Sequence, residues 1–460
     1  MTENESTFKA KSTIKSADIE HRQKINFNIS RYNAAIPTGK QQFADLNLAK
    51  ERAKNIKWRA LETLDQHLEE FEMHFTARGG KVIWAQNSQE ALDEILNICK
   101  EKNCKTVVKG KSMITEEIHL NHFLKDNNIE SIETDLGEYI QQLDGEPPYH
   151  IVTPAMHKNK EDVAKLFAEK LGTPSRLSPQ ELTLVAREKL REKYVQAEVG
   201  ITGANFMISD IGAIAITENE GNGRLTTAWP KTHIVIAGIE KMIPSMTDLA
   251  LMWPLLSTYG TGQKVTVYSS IIAGPRQPGE TDGPDEMYVI LLDNNRSNIL
   301  GNPVQRESLY CIRCGACLNV CPVYKNIGGH AYGTTYTGPI GSVITPNLSG
   351  LEEYKHLSFA SSLCGACTEV CPVKINIHEL LLVNRNESVE QEMTSFSEKM
   401  AWKVWKLTSL KRGLMNKGNG GLKTKVINTL FKDWNKHHVP LEFSKKTFNE
   451  MWKDRESLKS

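Results

Sequence analysis

Seven of the nine cysteines lie between residues 311 and 371, in two runs of the same design. The first run reads Cys311-Ile-Arg-Cys314-Gly-Ala-Cys317-Leu-Asn-Val-Cys321-Pro322. The second reads Ser361-Ser-Leu-Cys364-Gly-Ala-Cys367-Thr-Glu-Val-Cys371-Pro372, with serine where the first cysteine belongs. Thiols this close together favour either metal binding or cross-linking, so these two runs constrain the fold more than any other feature.

The first run has the C-x2-C-x2-C-x3-C-P spacing of bacterial ferredoxins. Three thiolates at two-residue gaps allow one tight loop to surround an iron–sulfur cubane, and the fourth cysteine ligates the other cluster. We therefore predict a first [4Fe-4S] cluster bound by Cys311, Cys314, Cys317 and Cys371. A second [4Fe-4S] cluster would be bound by Cys321, Cys364 and Cys367.

Ser361 occupies the position of the missing fourth ligand of the second cluster. Because a serine oxygen is a poorer iron ligand than a thiolate, two alternatives remain open. The second cluster is either a cubane with one iron held differently, which is our working interpretation, or a [3Fe-4S] cluster. A zinc site is the other reading of clustered cysteines, but zinc uses two pairs of ligands, and this chain offers a four-plus-three repeat.

The remaining composition predicts a cytoplasmic protein. Lys and Arg total 56 against 55 Asp and Glu, so no global charge favours nucleic acid. The first residues are acidic and polar, unlike a secretory signal, and no apolar run reaches the length of a membrane span. Thiols stay reduced in the cytoplasm, which argues against disulfides. Cys99 and Cys104 have no companion motif and are interpreted as buried or idle thiols.

Periodicity predicts four regions. Residues 1–69 form a helical N-terminal segment, and residues 70–295 form an α/β domain in which short strands alternate with helices around a mainly parallel sheet. We expect strands at Lys81–Trp84, Thr106–Val108 and Ile129–Glu133, another at Ile151–Thr153, a helical region from 158 to about 198, and an antiparallel extension after it. Residues 300–385 hold the two-cluster module, and residues 390–460 form a helical tail.

The tail is basic and rich in tryptophan. From Glu398 onward it carries fifteen Lys or Arg against six Asp or Glu. Four of the eight tryptophans lie there, namely Trp402, Trp405, Trp434 and Trp452. This pattern is typical of a basic amphipathic helix on an anionic membrane or a partner, but the favoured interpretation is a tail docked on its own domain.

Several polar segments are candidate ligand sites in the α/β domain. Lys109 and Lys111 flank a glycine between a strand and a helix, which makes an anion site plausible, although the sequence is not a Walker A motif. Asp135 is interpreted as a helix cap with Glu138 at the capping-box position. The stretch 217–223 either lines a pocket or forms a turn. His330, in the glycine-rich loop 328–341 expected to cover the clusters, is a ligand, a proton relay or simply hydrogen-bonded.

The order of these parts resembles the lactate utilization protein B family. The residues that carry the resemblance are the cysteine runs with Ser361, the stretch Thr202-Gly-Ala-Asn205, and Ile211-Gly-Ala-Ile-Ala-Ile-Thr-Glu-Asn219. The resemblance implies that the α/β (LUD-type) domain has a NagB/RpiA/CoA-transferase-like fold. It also implies electron transfer during the oxidation of L-lactate to pyruvate, which allows growth on lactate.

The resemblance further implies two partner subunits, a cysteine-rich iron–sulfur protein and a smaller LUD-type protein. We expect this chain to be an electron-transfer component rather than a stand-alone enzyme, with no catalytic side chains and with Arg313 beside the first cluster. Two alternatives remain. The first is a catalytic subunit that uses an open iron site or an α/β anion pocket on a 2-hydroxy acid, and the second is a scaffold with structural clusters.

Overall fold

The computed structural model describes residues 2–432, 435 and 438–457. It divides the chain into two compact units, Met1–Ser388 and Val389–Ser460. None of the helices within the described ranges combines the length and apolar character needed to cross a bilayer. Trp434, one of the four tail tryptophans, lies outside the described residues.

Ten strands form two sheets in the first unit. Their bounds are β1 (Lys81–Ala85), β2 (Thr106–Lys109), β3 (Glu130–Glu133), β4 (Val199–Gly203), β5 (Phe206–Ile208), β6 (Ala213–Glu218), β7 (Thr232–Gly238), β8 (Met242–Ile243), β9 (Tyr268–Ile272) and β10 (Glu286–Leu292). The larger sheet has the order β1-β10-β7-β4-β2-β3, and all its pairs are parallel. This confirms the predicted parallel α/β domain.

The smaller sheet has the order β8-β5-β6-β9. The pairs β5–β6 and β6–β9 are antiparallel, as the sequence predicts for the extension. Strand β8 pairs with β5 in parallel, and β8 follows β7 after a short 3-10 helix at Ile239–Lys241. The chain therefore passes from one sheet to the other at the carboxyl end of β7.

Helices precede, surround and follow the sheets. The N-terminal segment contains α1 (Glu3–Ala17), α2 (Ile19–Lys40), α3 (Leu46–Glu62) and α4 (Leu64–Ala77). The α/β domain contains α5 (Ser88–Glu101), α6 (Met113–Glu117), α7 (Leu120–Asp126), α8 (Leu136–Asp144), α9 (Lys160–Leu171), α10 (Pro179–Gln196), α11 (Asn222–Ala228), α12 (Leu249–Thr261) and α13 (Arg296–Gly301).

The cysteine region is built from short helices and turns. It contains α14 (Ala316–Val320), α15 (Tyr324–Ile327), α16 (Gly338–Ser349), α17 (Leu351–Phe359), α18 (Ala366–Val370) and α19 (Ile377–Glu390). The second unit adds α20 (Phe396–Ser409), α21 (Arg412–Met415), α22 (Gly420–Leu430) and α23 (Phe448–Ser457), and its helical character agrees with the prediction for the tail.

One apolar core joins the N-terminal helices, the α/β domain and the cysteine region. It includes Ile25 from α2, Phe71 from α4, Met207 from β5 and Leu318 from α14, each almost completely buried. A parallel sheet covered on both faces needs near-continuous apolar strands, and every residue of β7 is buried. The cysteine loops therefore rest directly on the carboxyl edge of the α/β domain.

Two local predictions were wrong, and a third is confirmed in more detail. Residues 151–153 form no strand, because this segment is a turn whose amides meet the His150 ring. The helical region predicted from 158 to about 198 is confirmed and consists of two helices, since Ser178 and Glu181 form a capping box that begins α10. The loop 328–341 ends at Gly338, where α16 begins with proline in its first turn.

Candidate metal centre and adjoining cavity

Four cysteines from both runs line one cavity. They are Cys311, Cys314, Cys317 and Cys371. Cys311 follows the 3-10 helix Gln305–Tyr310, Cys317 lies on α14, and Cys371 follows α18. The walls are otherwise apolar, with Ile312, Leu318, Ile340 and Val373 among them. The structure therefore brings together the four residues predicted for the first cluster.

The two runs share one backbone conformation. Arg313 and Leu363, which precede the second thiol position of each run, both have positive φ, 61° and 54°. Gly315 and Gly365 follow with φ of 76° and 80°. Left-handed residues in this order turn the chain back around the thiols, and glycine adopts this conformation without a steric penalty. Each copy then enters a five-residue helix, α14 or α18.

Backbone amides point at the sulfur atoms. The amide of Arg313 lies 3.4 Å from Cys311 Sγ, and the amide of Ile375 lies 3.4 Å from Cys371 Sγ. In the second group, the amide of Tyr324 lies 3.5 Å from Cys321 Sγ. N–H groups directed at thiolates stabilise their negative charge and raise the reduction potential of a bound cluster.

The second group of thiols lies nearer the surface. Cys367 is buried, Cys321 is half-buried and Cys364 is exposed. Burial, together with the neighbouring Cys321 thiol, raises the pKa of Cys367 to about 11. Burial also raises the pKa of Cys321, with a further contribution from Cys364. The three predicted ligands influence one another electrostatically, at a site more exposed than that of the first four.

Ser361 is hydrogen-bonded within its loop and to α19. Its Oγ accepts a bond from the Leu363 amide at 3.2 Å, and its carbonyl oxygen accepts one from Arg385 Nη2 at 3.1 Å. The serine is half-buried beside the second group of thiols. Its hydroxyl therefore stabilises the conformation of the loop that carries Cys364.

The spacing of the sulfurs does not match a single zinc ion. Four thiolates on one zinc ion lie about 3.8 Å apart, given Zn–S bonds of about 2.3 Å. Within the described part of the chain, no three cysteine sulfurs lie within 4.8 Å of one another. In a cubane each thiolate binds a different iron, so the sulfurs stay further apart. The residues fit an iron–sulfur cluster.

A second, larger cavity of about 490 Å³ opens at the carboxyl ends of the parallel strands. Ligands of α/β sheets commonly bind at this edge. It shares Met113, Ile151, Arg313, Cys314 and Tyr336 with the cysteine cavity. The two cavities are therefore neighbours, separated by the loop that carries Arg313.

Lys109 is not available for an anion, so this part of the expected site was wrong. Its ammonium group is completely buried and lies 2.8 Å from Glu133 Oε1 and 3.1 Å from Glu116 Oε1. Lys111 lines the large cavity, but it donates to the Val152 carbonyl oxygen at 2.7 Å and lies 3.5 Å from Asp135 Oδ2. The ammonium groups of both lysines are already hydrogen-bonded or ion-paired within the protein.

The acidic candidates are mainly structural. Asp135 caps α8 by accepting the amide of Glu138 at 3.1 Å, as predicted. Glu138 does not complete a capping box, because its buried carboxyl oxygens accept no hydrogen bond from any residue that the structure describes. Burial raises the pKa of that carboxyl well above its usual range. Glu218 accepts the amides of Gly223 and Arg224, so the 217–223 stretch connects the end of β6 to the start of α11 rather than forming a hairpin turn, and it lines the cavity.

His330 and the two isolated cysteines have ordinary partners. His330 Nε2 lies 2.8 Å from the Pro147 carbonyl oxygen. The side chain also lies near Glu146 and His157, but Glu146 is already paired with Lys158 at 3.0 Å. Cys99 and Cys104 are buried in the α/β domain, away from the runs, and Cys104 Sγ lies 3.4 Å from the Thr106 carbonyl oxygen.

Arg313 and Glu240 meet at the boundary between the two cavities. Arg313 Nη2 lies 3.3 Å from Glu240 Oε1, and its guanidinium group stacks on Tyr336 at 4.3 Å from the ring centroid. Arg296 lies 2.6 Å from Glu240 Oε2. Burial raises the carboxyl pKa of Glu240, but the adjacent arginines prevail and hold it at about 2. Arg313 thus lies beside the first group of thiols, as predicted.

Sequence reasoning missed Lys241, Glu240 and Arg296. Glu240 and Lys241 follow β7 in a short 3-10 helix, whereas Arg296 begins α13 more than fifty residues later. Nothing in the local sequence marks these residues, because only the parallel pairing of β7 with β10 brings the two segments together. A charged pair directly after a buried, mostly apolar strand was the one available signal.

Two family models match the chain. The LUD domain matches residues 68–292, and the 4Fe-4S dicluster domain matches residues 307–375. The chain is 47% identical over 369 residues to Lactate utilization protein B of Bacillus licheniformis, which covers 80% of this chain and 77% of that protein. It is 46% identical over 369 residues to the protein of that name from Bacillus subtilis, with the same coverage.

A third relative, Lactate utilization protein B of Geobacillus sp., is 45% identical over 407 residues and covers 86% of each chain. Among solved structures, a duf162 family protein from Deinococcus radiodurans aligns with 50% of this chain and 98% of its own. Its TM-score of 0.29 and identity of 12% are too low to support an inference.

Proposed function

The chain belongs to the lactate utilization protein B family, and we propose that it is an iron–sulfur electron carrier in the oxidation of L-lactate to pyruvate. The observation that carries this proposal is the convergence of four cysteines from both runs on one apolar cavity. Bound clusters would supply one-electron transfer.

The protein's own residues would bind and insulate the clusters. Cys311, Cys314, Cys317 and Cys371 would hold the first [4Fe-4S] cluster, while Cys321, Cys364 and Cys367 would hold the second. Apolar side chains exclude water around the first site, and Arg313 places a positive charge beside it. A nearby cation favours the reduced, more negative cluster, so the charge of Arg313 acts to raise the reduction potential.

The two cluster sites differ in solvent exposure, which favours electron exchange with a partner protein at the second site. The first site is enclosed against the α/β domain, whereas Cys364 at the second site is exposed. Electron transfer between proteins requires close approach of their redox groups, which an exposed ligand permits. The surface around Cys364 is therefore the proposed contact for a redox partner, either the cysteine-rich subunit or the smaller LUD-type subunit.

Metal analysis of the anaerobically purified protein tests this function. We expect about eight irons and eight sulfides per chain, with reduced cubane signals in electron paramagnetic resonance after dithionite. Cys314→Ala should lose about half of the iron, since it removes a ligand of the first cluster only. Cys99→Ala is the matched control and should keep the full content.

Two results would contradict the proposal. Zinc in place of iron would remove the redox role altogether. Equal iron loss in both cysteine variants would show that Cys314 has no special part in binding the metal. About seven irons with an oxidised three-iron signal would instead keep the redox role and assign a [3Fe-4S] cluster to the second site.

A further inference from the structure

Two histidines and a glutamate meet where the α/β domain contacts the cysteine region. Glu146 and His157 lie in the connection between α8 and α9, and His330 begins a short 3-10 helix after α15. One nitrogen or oxygen atom of each side chain lies within 4.8 Å of the corresponding atoms of the other two. Imidazole and carboxylate groups are the nitrogen and oxygen ligands of zinc in proteins. The three side chains therefore have the chemistry of a metal site.

The backbone brings the two segments of this group together. The amide of Tyr149 donates to the Pro154 carbonyl oxygen at 2.9 Å, which folds the α8–α9 connection back on itself. Gly329, directly before His330, lies so close to this connection that a Cβ atom there would be 1.8 Å from the Tyr149 carbonyl oxygen. Only glycine permits that approach, so the close packing of the two backbones holds His330 at the group.

Both imidazole rings are oriented by neighbouring groups. The Tyr149 ring stacks on His157 with centroids 4.4 Å apart and meets His330 edge to face at 4.9 Å. His330 Nε2 lies 2.8 Å from the Pro147 carbonyl oxygen. A carbonyl oxygen only accepts, so Nε2 carries the proton and Nδ1 keeps its lone pair. Metal-binding histidines are typically held by such a hydrogen bond from the second ring nitrogen.

The spacing and charge of the other two side chains also suit a metal ion. His157 Nε2 lies 3.1 Å from Glu146 Oε2. Two tetrahedral zinc ligands with bonds of about 2.1 Å lie about 3.4 Å apart, so little movement is needed. Burial lowers the pKa of both His157 and His330, which keeps the rings neutral at pH 7. The hydrogen bond with His157 holds the carboxyl pKa of Glu146 at about 2. Neutral imidazoles and an ionised carboxylate are the forms that bind metal.

Lys158 competes with a metal ion for Glu146. Its Nζ lies 3.0 Å from Glu146 Oε2, but it also forms an ion pair with Asp144. Asp144 remains as a partner when Glu146 turns to a metal ion, so Lys158 then loses one of these two ion pairs. The Glu146 side chain is 36% exposed, so an ion and a water ligand reach the group from solvent.

We propose that Glu146, His157 and His330 bind one zinc ion, with water completing a tetrahedral coordination. The ion joins the loop of the cysteine region that carries His330 to the α8–α9 connection of the α/β domain. None of the cysteines belongs to this group of described residues, so the site is distinct from the two proposed cluster sites. The inference goes beyond the proposed function and does not depend on it.

Anaerobic zinc titration of the full-length, iron-loaded protein tests the site. We expect the wild type to bind about one zinc ion per chain and to keep its iron, measured by elemental analysis after removal of unbound metal. Glu146→Gln and His330→Ala should each weaken zinc binding at least about tenfold, because loss of even an outer partner of a ligand costs about 10–100-fold. Lys158→Gln should strengthen zinc binding several-fold, because it removes the competing ammonium group.

His67→Ala is the matched control. His67 also faces a carboxylate, with Nδ1 3.7 Å from Glu70 Oε2, but within the described part of the chain it belongs to no group of three ligands. This variant should bind zinc as the wild type does. As a second readout, zinc should raise the midpoint of chemical denaturation of the wild type and of His67→Ala more than that of His330→Ala, since a ligand of the folded state stabilises it.

Three outcomes would overturn the inference. The first is no zinc bound by the wild type at micromolar free zinc, and the second is equal zinc affinity in the wild type, Glu146→Gln and His330→Ala. The third is zinc uptake matched by loss of iron, because the ion would then occupy the cysteines. Iron content in the same preparation, before zinc is added, reports on the electron-carrier function separately.

Discussion

Buried histidines make the stability of the first unit sensitive to acid. His233 lies on β7, and its Nε2 contacts Thr202 Oγ1 at 2.8 Å. Burial lowers the pKa of His233 to about 3 and that of His150 to about 3. Both side chains stay neutral in the folded protein, whereas they bind protons near pH 6.5 in the unfolded chain. Their contribution is complete above pH 6.5 and is lost as the pH falls toward 3.

His233→Gln should reduce this pH dependence while keeping the contact with Thr202. Between pH 7.5 and pH 5, the wild type should lose about 2 kcal/mol more unfolding free energy than the variant. Urea unfolding followed by tryptophan fluorescence at the two pH values measures the difference. The exposed His122→Gln is the control and should follow the wild type, and an equal loss in all three proteins would refute the assignment.

We expect Ser361 to determine how readily the second cluster loses iron in air. Ser361→Cys should supply the missing thiolate, because the residue occupies the ligand position of the repeat. After exposure to air, we expect a three-iron resonance from the wild type and a much weaker one from the variant. Ser362→Cys, one residue away, should behave as the wild type. Equal oxidation of all three proteins would exclude an open iron at this position.

At the scale of elements, one buried arginine connects three segments. Arg296 begins α13 and is almost completely buried. Its Nη2 lies 2.8 Å from Glu117 Oε2 at the end of α6, and its Nε contacts Glu240 after β7. Glu117 also accepts the hydroxyl of Tyr336 at 2.5 Å, which extends the connection to the cysteine region.

Arg296→Met should destabilise the first unit by about 3–5 kcal/mol, because it removes the nearest cation from two buried carboxylates, Glu117 and Glu240. Arg276→Met is the matched control, since Arg276 forms an exposed pair with Asp285 and should cost no more than about 1 kcal/mol. Chemical denaturation of both variants measures these costs. Similar small losses would mean that the buried network contributes little.

At the scale of the whole molecule, the second unit exposes many apolar side chains. None of the residues of α20 is buried, and Phe396, Trp402 and Trp405 are each at least 60% exposed. Together with the local excess of lysine, this exposure makes an anionic membrane or a partner protein a candidate contact for the tail. The helices supply the amphipathic character that the sequence predicts.

A vesicle sedimentation experiment tests membrane contact. If the tail binds lipid, the full-length protein should sediment with vesicles containing phosphatidylserine, and less in high salt, because the lysines provide part of the attraction. A chain truncated after Ser388 should stay in solution and keep its iron. Neutral phosphatidylcholine vesicles are the control. Absence of binding to both lipids would leave a protein partner as the tail's contact.

Part of the candidate site could be read from the sequence. Thiol spacing is a local property, so the run from Cys311 to Cys321 was enough to predict a cluster-binding loop. The sequence also placed Arg313 correctly beside the first group of thiols. Strands β1 and β2 were also recognised, because they are short apolar runs between turns. The segment 151–153 has the same apolar character and was misread as a strand, since periodicity cannot distinguish such a run from a buried turn.

The sequence by itself determined the metal chemistry and the α/β class, because both depend on residue types at short, regular separations. Only the tertiary structure decided which charges are available. It buried Lys109 against Glu133 and placed Lys241 in the wall of the large cavity with no hydrogen bond or ion pair to any residue that the structure describes. The physical reason is that a charge is satisfied by whatever lies within a few ångströms, and strand pairing across the sheet sets that distance.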